Sequence, residues 1–266
     1  MNPADTPLTN EPSQDYFPLR PIPATKPLSV IVPYYRNKTG LAITLTTLQA
    51  QLVPPQSIIV IDTSPNKSGL EIASRYATHE IPVIIEVATK AGIYEAWNKG
   101  LSLAGDQDVV IINDDLLLPI NFIDILSYSR ALVPALAYAP LTPPREHSRP
   151  DVDVAFAWWN EVPSQPEHFS LVSWLPGFCF MLTREAVKIV GEFDEGFKVW
   201  FGDDDYQKRL EKAAVKAGVP PIVRINTLYA YHYGGQSYRY QSKAVKAQID
   251  KDRAYFNKKY GEETNR

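Results

Sequence analysis

The chain has 266 residues, of which 45% are hydrophobic and 21% charged, with a formal net charge of −3. That composition fits one sizeable globular α/β domain and gives no support to a strongly basic nucleic-acid binder. A single cysteine, Cys179, excludes an intrachain disulfide framework and a multi-cysteine zinc site.

Residues 1–27 are rich in Pro, Asn, Thr and Ser and read as a tail, extended or docked through Tyr16, Phe17 and Leu19. From Leu28 the pattern changes to alternating strands and helices. A β-branched run at 28–32, stopped by Pro33, suits a buried strand. Helical spacing over 39–52 ends at Pro54 and Pro55. A second buried strand at 57–61 ends at Asp62. A helix at 68–77, a strand at 82–87, a helix at 92–103 and a fourth strand at 109–112 follow. This alternation predicts an α/β fold with a mostly parallel, Rossmann-like sheet and helices on both faces.

The order is less regular after about residue 134. Segment 140–166, with its prolines, charges and Trp158-Trp159, reads as an insertion near the site. Helices are expected at 184–190 and 206–217, a short strand at 222–225, and a charged amphipathic helix at 243–260. Cys179 lies in an apolar run and reads as a buried structural thiol. No run of about 18 apolar residues occurs, so no membrane span is expected. The N-terminus lacks the basic start and apolar core of a secretory signal. Cytoplasmic residence is the expectation, with peripheral membrane contact left open.

In sheets of this type ligands gather at the carboxyl ends of the strands. Three such ends carry polar or aromatic residues: Pro33-Tyr34-Tyr35, Asp62-Thr63-Ser64 and Asn113-Asp114-Asp115. Acids at the tip of a buried strand are costly unless a cation meets them. A divalent ion bridging a diphosphate supplies that cation, and Mg²⁺ and Mn²⁺ both take oxygen ligands. An aromatic ring after the first strand can stack on a nucleobase. Asp62 can accept from a base N–H or a ribose hydroxyl, or it can close an Asx-turn. A second acidic run, Asp203-Asp204-Asp205, opens a predicted helix. One acid there suits the helix dipole; three exceed what capping needs, so one can serve as a general base. Asp205 can instead pair with Arg209, four residues on. Together the two acidic clusters point to a nucleotide-sugar-dependent transferase.

The chain resembles the family 2 glycosyltransferases, which have the GT-A fold. The likeness rests on LSVIVPYYRN (28–37), IIVIDTSPN (58–66), KAGIYEAWNKGL (90–101), VVIINDDLLLP (109–119), LPGFCFMLTREAVKIVGEFDEGF (175–197), WFGDDDYQKRL (200–210) and YHYGGQS (231–237), in that order. It implies a GT-A domain over 28–240, with a nucleotide-binding half (28–118) and an acceptor-side half (119–240), followed by a C-terminal helix within 241–266. It implies inverting transfer of a sugar from a UDP-, GDP- or dTDP-sugar. The acceptor is a glycan, lipid-linked glycan, protein or modified nucleic acid.

By the same resemblance Pro33, Tyr34, Tyr35, Asp62, Lys90, Asn98, Asn113 and Asp114 meet the nucleotide sugar. Asp115, His232 and Asn113 hold Mn²⁺ or Mg²⁺. Asp203 is the base, with Asp204 as the alternative. Read from the residues themselves, Trp174, Gly177, Trp200, Trp158 and Trp159 are candidates for the acceptor side, and Tyr238, Arg239 and Tyr240 are candidates for a lid touching the diphosphate. Two positions depart from the family pattern. Asn113 stands where Asp-x-Asp has its first acid, and Gly202 stands where a Glu is common. They keep alive a non-catalytic carbohydrate-binding or scaffolding protein. A sugar-phosphate nucleotidyltransferase is a further alternative, but the turn after the first strand has no glycine before Gly40.

Overall fold

A computed structural model of the protein describes residues 28–77, 80–89, 91–141, 168–232 and 243–261. The expected tail, Lys90, Trp158, Trp159, Tyr238, Arg239, Tyr240 and all but the first two residues of the 140–166 insertion lie outside the described residues. Strand β1 (Leu28–Tyr34) shows why its sequence is apolar almost throughout. Val30 and Val32 enter one core cluster while Ile31 enters the other. In β2 (Ser57–Asp62), Ile58 and Val60 oppose Ile59 and Ile61 in the same way, as do Val110 and Ile112 against Val109 and Ile111 in β4 (Asp108–Ile112). Side chains alternate faces along a strand, so a sheet covered on both sides needs a continuous apolar run.

Helices α1 (Lys38–Gln49), α2 (Ser68–Ala73) and α4 (Phe122–Leu132) cover the first face through Leu41, Leu45, Ile72, Phe122 and Leu126. Helices α3 (Ile93–Ala104), α5 (Arg184–Val190), α6 (Gly202–Ala217) and α7 (Lys243–Tyr260) cover the second through Trp97, Leu101, Val187, Leu210 and Phe256. None of these helices is long and apolar enough to cross a membrane.

The main sheet also contains β3 (Val83–Val87), β6 (Ala137–Leu141), β7 (Phe169–Leu171), β8 (Cys179–Leu182) and β9 (Ile222–Tyr229). Its order is β3-β2-β1-β4-β8-β6-β9-β7. The β3-β2-β1-β4 half is parallel, as the strand–helix alternation predicts. Beyond β4 the sheet is mixed. β8 runs antiparallel to both β4 and β6, β9 is parallel to β6, and β7 is antiparallel to β9. The elements not foreseen are α4, β6, β7 and β8, which belong largely to this half, and two short strands outside the main sheet. Their short runs carry no strand–helix alternation to reveal them. Helix α6 begins four residues earlier than expected, at Gly202, and β9 continues to Tyr229.

Two pairings position the site. The chain leaves β1 toward β2 and β3, then returns to β4 on β1's other side, so the carboxyl ends of β1 and β4 flank a topological switch point. A separate pair, β5 (Leu116–Leu117) with β10 (Tyr231–His232), places His232 opposite Leu116.

Candidate active site

The acidic strand end comes first. Asp114 and Asp115 follow β4 and are 5% and 4% exposed. The antiparallel β5–β10 register sets His232 beside Asp115, with Nε2 3.0 Å from Asp115 Oδ1. This spacing is that of an ion pair, yet neither atom makes an aligned hydrogen bond, and Asp114 Oδ2 is likewise buried without a partner. Burial, and then the charge of Asp115, raise the Asp114 carboxyl well above the usual carboxylate range. Unsatisfied buried oxygens and an imidazole nitrogen clustered together are costly. A divalent cation relieves that cost, and this oxygen-and-nitrogen donor set fits Mn²⁺ well. Among the described residues no three His, Cys, Asp or Glu side chains form a closed cage. An open ligand set suits an ion shared with phosphate oxygens.

The second acid cluster reaches this point through two consecutive residues. β8 pairs with β4 so that Ile112 opposes Cys179, and Asn113 N donates to Phe178 O at 2.9 Å. The Phe178 ring stacks on His232, with centroids 4.2 Å apart and planes 12° from parallel. The preceding residue, Gly177, touches Asp203: a Cβ at 177 would overlap Asp203 Oδ2. Adjacent Cα atoms are about 3.8 Å apart, so Gly177 and Phe178 link the base candidate to the His232–Asp115 pair.

Asp203 lies in the first turn of α6, partly exposed, and its Oδ1 accepts from the Tyr94 hydroxyl at 3.2 Å. Burial and the neighbouring Asp204 push its carboxyl up to about 6. Asp205 points the other way, fully buried. It accepts from Arg209 Nε at 2.9 Å and the Tyr260 hydroxyl at 2.8 Å and pairs with Lys259. The Arg209 pairing expected from four-residue spacing is therefore present. Two indoles are exposed in segments that adjoin α6. Trp200 is 41% exposed just before α6, and Trp174 is 47% exposed. Both neighbours of Trp174, Ser173 and Leu175, bond Gln207, one turn beyond Asp203.

Four expected nucleotide contacts are buried or engaged locally. Tyr34 is buried, with its hydroxyl 2.9 Å from Ser68 Oγ, so it is a core residue linking β1 to α2. The aromatic available at that strand end is Tyr35, 40% exposed, with the Arg36 guanidinium 4.6 Å above its ring. Asp62 is fully buried; Oδ1 accepts from Ser64 N and Oγ, and Oδ2 from Leu70 N at 2.8 Å. The Asx-turn alternative is present, with both carboxylate oxygens accepting from these local donors. Asn98 donates to Phe193 O and Glu195 Oε1 and accepts from Phe193 N, so its amide holds the 193–195 turn instead of facing the cleft. Pro33 is buried in β1, paired with Ile61.

Two residues of the site were not legible in sequence. Tyr94 lies on α3 and carries no sequence signal of its own for the site. Asp252 lies in the charged pattern of α7, yet it is 1% exposed and accepts from Lys198, Val199 and Trp200 N–H groups at 2.8 to 3.3 Å. That carboxylate anchors the loop before α6, where Phe201 adopts φ 68°. Left-handed backbone at a bulky residue is strained and persists only where its surroundings hold it. Cys179 is fully buried, and burial raises its thiol far above the usual value.

Residues 29–126 match the family model described as Glycosyl transferase family 2. No curated protein matches the chain by sequence. Among solved structures, GalNAc-T7 with UDP, GalNAc and Mn²⁺ aligns at TM-score 0.62 and 14% identity over 79% of this chain and 44% of that one. The mannosyltransferase PcManGT from Pyrobaculum calidifontis, with GDP-Man and Mn²⁺, aligns at 0.61 and 18%, over 90% and 68%. S. aureus TarS in complex with UDP aligns at 0.56 and 16%, over 77% and 60%. The chain thus spans less than half of GalNAc-T7. The fold is GT-A, and the resemblance to family 2 glycosyltransferases holds across the β1-to-α4 segment.

Proposed function

We propose that the chain is a family 2 glycosyltransferase moving a sugar from a nucleoside-diphosphate sugar to an acceptor hydroxyl with inversion of configuration. The observation that carries this reading is the junction at Gly177-Phe178, which joins Asp203 to the His232–Asp115 pair on one edge of a GT-A sheet. The matching family segment and the UDP- or GDP-containing neighbours support the donor class.

In this reading the donor lies at the β1 and β4 ends, with Tyr35 beneath the base. Asp115 and His232, with Asn113 or Asp114, would hold Mn²⁺ or Mg²⁺. When bound, the ion offsets the charge of the leaving diphosphate. Asp203 accepts the proton of the acceptor hydroxyl. That oxygen attacks the anomeric carbon from the face opposite the nucleotide. The new glycosidic C–O bond forms as the bond to the diphosphate breaks, and configuration inverts. Trp174 and Trp200 offer aromatic faces to the acceptor beside the base, with Gly177 at the floor. Residues 28–118 then serve the donor and 119–240 the acceptor.

The test is release of nucleoside diphosphate from a panel of UDP-, GDP- and dTDP-sugars with Mn²⁺, with and without simple glycoside acceptors. One donor should support acceptor-dependent release. EDTA should suppress it, and Mn²⁺ or Mg²⁺ should restore it. Asp203→Asn should abolish transfer while calorimetric donor binding persists. Donor binding with no turnover for any sugar would instead support the non-catalytic carbohydrate-binding alternative. Pyrophosphate exchange into the donor would support a nucleotidyltransferase.

A further inference from the structure

We infer that Tyr94 is a positioning residue for the base, gripping the Asp203 carboxylate from α3 in space that Gly202 leaves open. The inference rests on the role of Asp203 proposed above. Tyr94 is 2% exposed and its ring is boxed in. Trp97 meets it edge-on at 5.1 Å, Phe193 stacks at 6.2 Å, and Phe197 approaches at 6.4 Å. A ring packed this way cannot swing its hydroxyl elsewhere. Its face lies against the backbone of Gly202, where an added Cβ would fall 2.5 Å from a ring carbon. No side chain fits there without displacing the ring, so Tyr94 and Gly202 are complementary in shape. This accounts for the glycine that opens an otherwise acidic helix turn.

Among the described residues the phenol has Asp203 Oδ1 in range at 3.2 Å and Val199 O at 3.5 Å. The carboxylate is nearer and charged, and is the stronger acceptor. Its other oxygen, Oδ2, abuts Gly177. Both oxygens are therefore located, one by a hydrogen bond and one by contact. Among the described residues the groups facing Asp203 are few. Helix α3 presents the Tyr94 hydroxyl, and α6 presents the like-charged Asp204. The 175–178 loop presents no titratable side chain. No cation pairs with Asp203 among the described residues. The backbone N–H groups of Asp203 and Asp204 and the phenol all favour the ionised form against the repulsion of Asp204, and the phenol is the side-chain donor among them; it lowers the carboxyl's proton affinity relative to burial alone.

Tyr94→Phe keeps the ring and removes one hydroxyl. ¹³C NMR of carboxyl-labelled aspartate, with the Asp203 signal assigned by its loss in Asp203→Asn, gives the titration midpoint without any turnover. A hydrogen bond to a charged group corresponds to about one pH unit. We expect the Asp203 midpoint to rise by about that much in Tyr94→Phe, and the acid limb of kcat for donor turnover to rise with it. Turnover at pH 5 should fall several-fold, with donor KM within twofold of wild type. Gly202→Ala retains the hydroxyl but displaces the ring, and should raise the midpoint in the same direction. An Asp203 midpoint unchanged in both variants would overturn the inference, even if activity fell, because packing alone would then explain the loss. A midpoint that moves while the pH–rate profile stays fixed supports the Tyr94–Asp203 link and overturns the assignment of Asp203 as base.

Discussion

Asp203→Asn should make the folded protein more stable while removing its turnover, and the gain should depend on pH. In the folded state the Asp203 carboxyl titrates at about 6, against an ordinary value of 3.8, because burial and Asp204 disfavour its charge. Between these values the folded protein holds a proton that the unfolded chain has released. Stability therefore falls as pH rises through this window and levels off above 6. The difference of about two pH units corresponds to about 3 kcal/mol. Asparagine, neutral and of the same shape, escapes that cost. Integrating the linkage, the variant should exceed wild type by only about 0.5 kcal/mol at pH 4 and by about 3 kcal/mol at pH 8. Urea unfolding of both proteins at several pH values measures the difference directly. The comparison cancels titrating groups that do not interact with Asp203, including Asp114. An equal gain at pH 4 and pH 8, or a loss at pH 8, would refute the claim that Asp203 is held as a strained base beside Asp204 and the Tyr94 hydroxyl.

Gly177→Ala should force Asp203 from its place, lowering turnover at least tenfold with donor affinity unchanged, as steady-state kinetics and calorimetry would show. Tyr35→Ala should weaken nucleotide binding by about 1–3 kcal/mol, whereas Tyr34→Phe should leave it unchanged and cost about 1 kcal/mol of stability by urea unfolding. Asp115→Ala should lower Mn²⁺ affinity in the presence of nucleoside diphosphate by at least tenfold in an EPR titration of free Mn²⁺. Asp252→Ala leaves three loop N–H groups without their acceptor and should lower stability by about 3 kcal/mol, seen as a fall in Tm.

Reading the sequence worked where a residue's environment follows from its neighbours in the chain. The apolar runs of β1, β2 and β4 declare strands buried on both faces. The bounds of α5 and α7 match the expected 184–190 and 243–260 because helical periodicity persists to their ends. The Asp205–Arg209 pair follows from helical spacing alone. Reading failed where the same residue type can face either way. Tyr34 and Tyr35 are adjacent aromatics, yet only the second is exposed, because alternation along β1 turns the first into the core. Asp62 carries the same strand-end signature as Asp115, but α2 begins close enough to enclose its carboxylate.

The sequence alone determined the parallel half of the sheet, the helices that cover it and the two acidic segments, since local apolar periodicity records which face each residue presents. Tertiary structure decided that these segments meet through shared neighbours. His232 reaches Asp115 only through the β5–β10 register, and Gly177-Phe178 reaches both acids only because β8 runs antiparallel beside β4. Tyr94 and Asp252 meet the Asp203 segment from helices distant in the chain. Such pairings depend on shape and unsatisfied polar groups brought together by packing, which no periodicity along a single chain encodes.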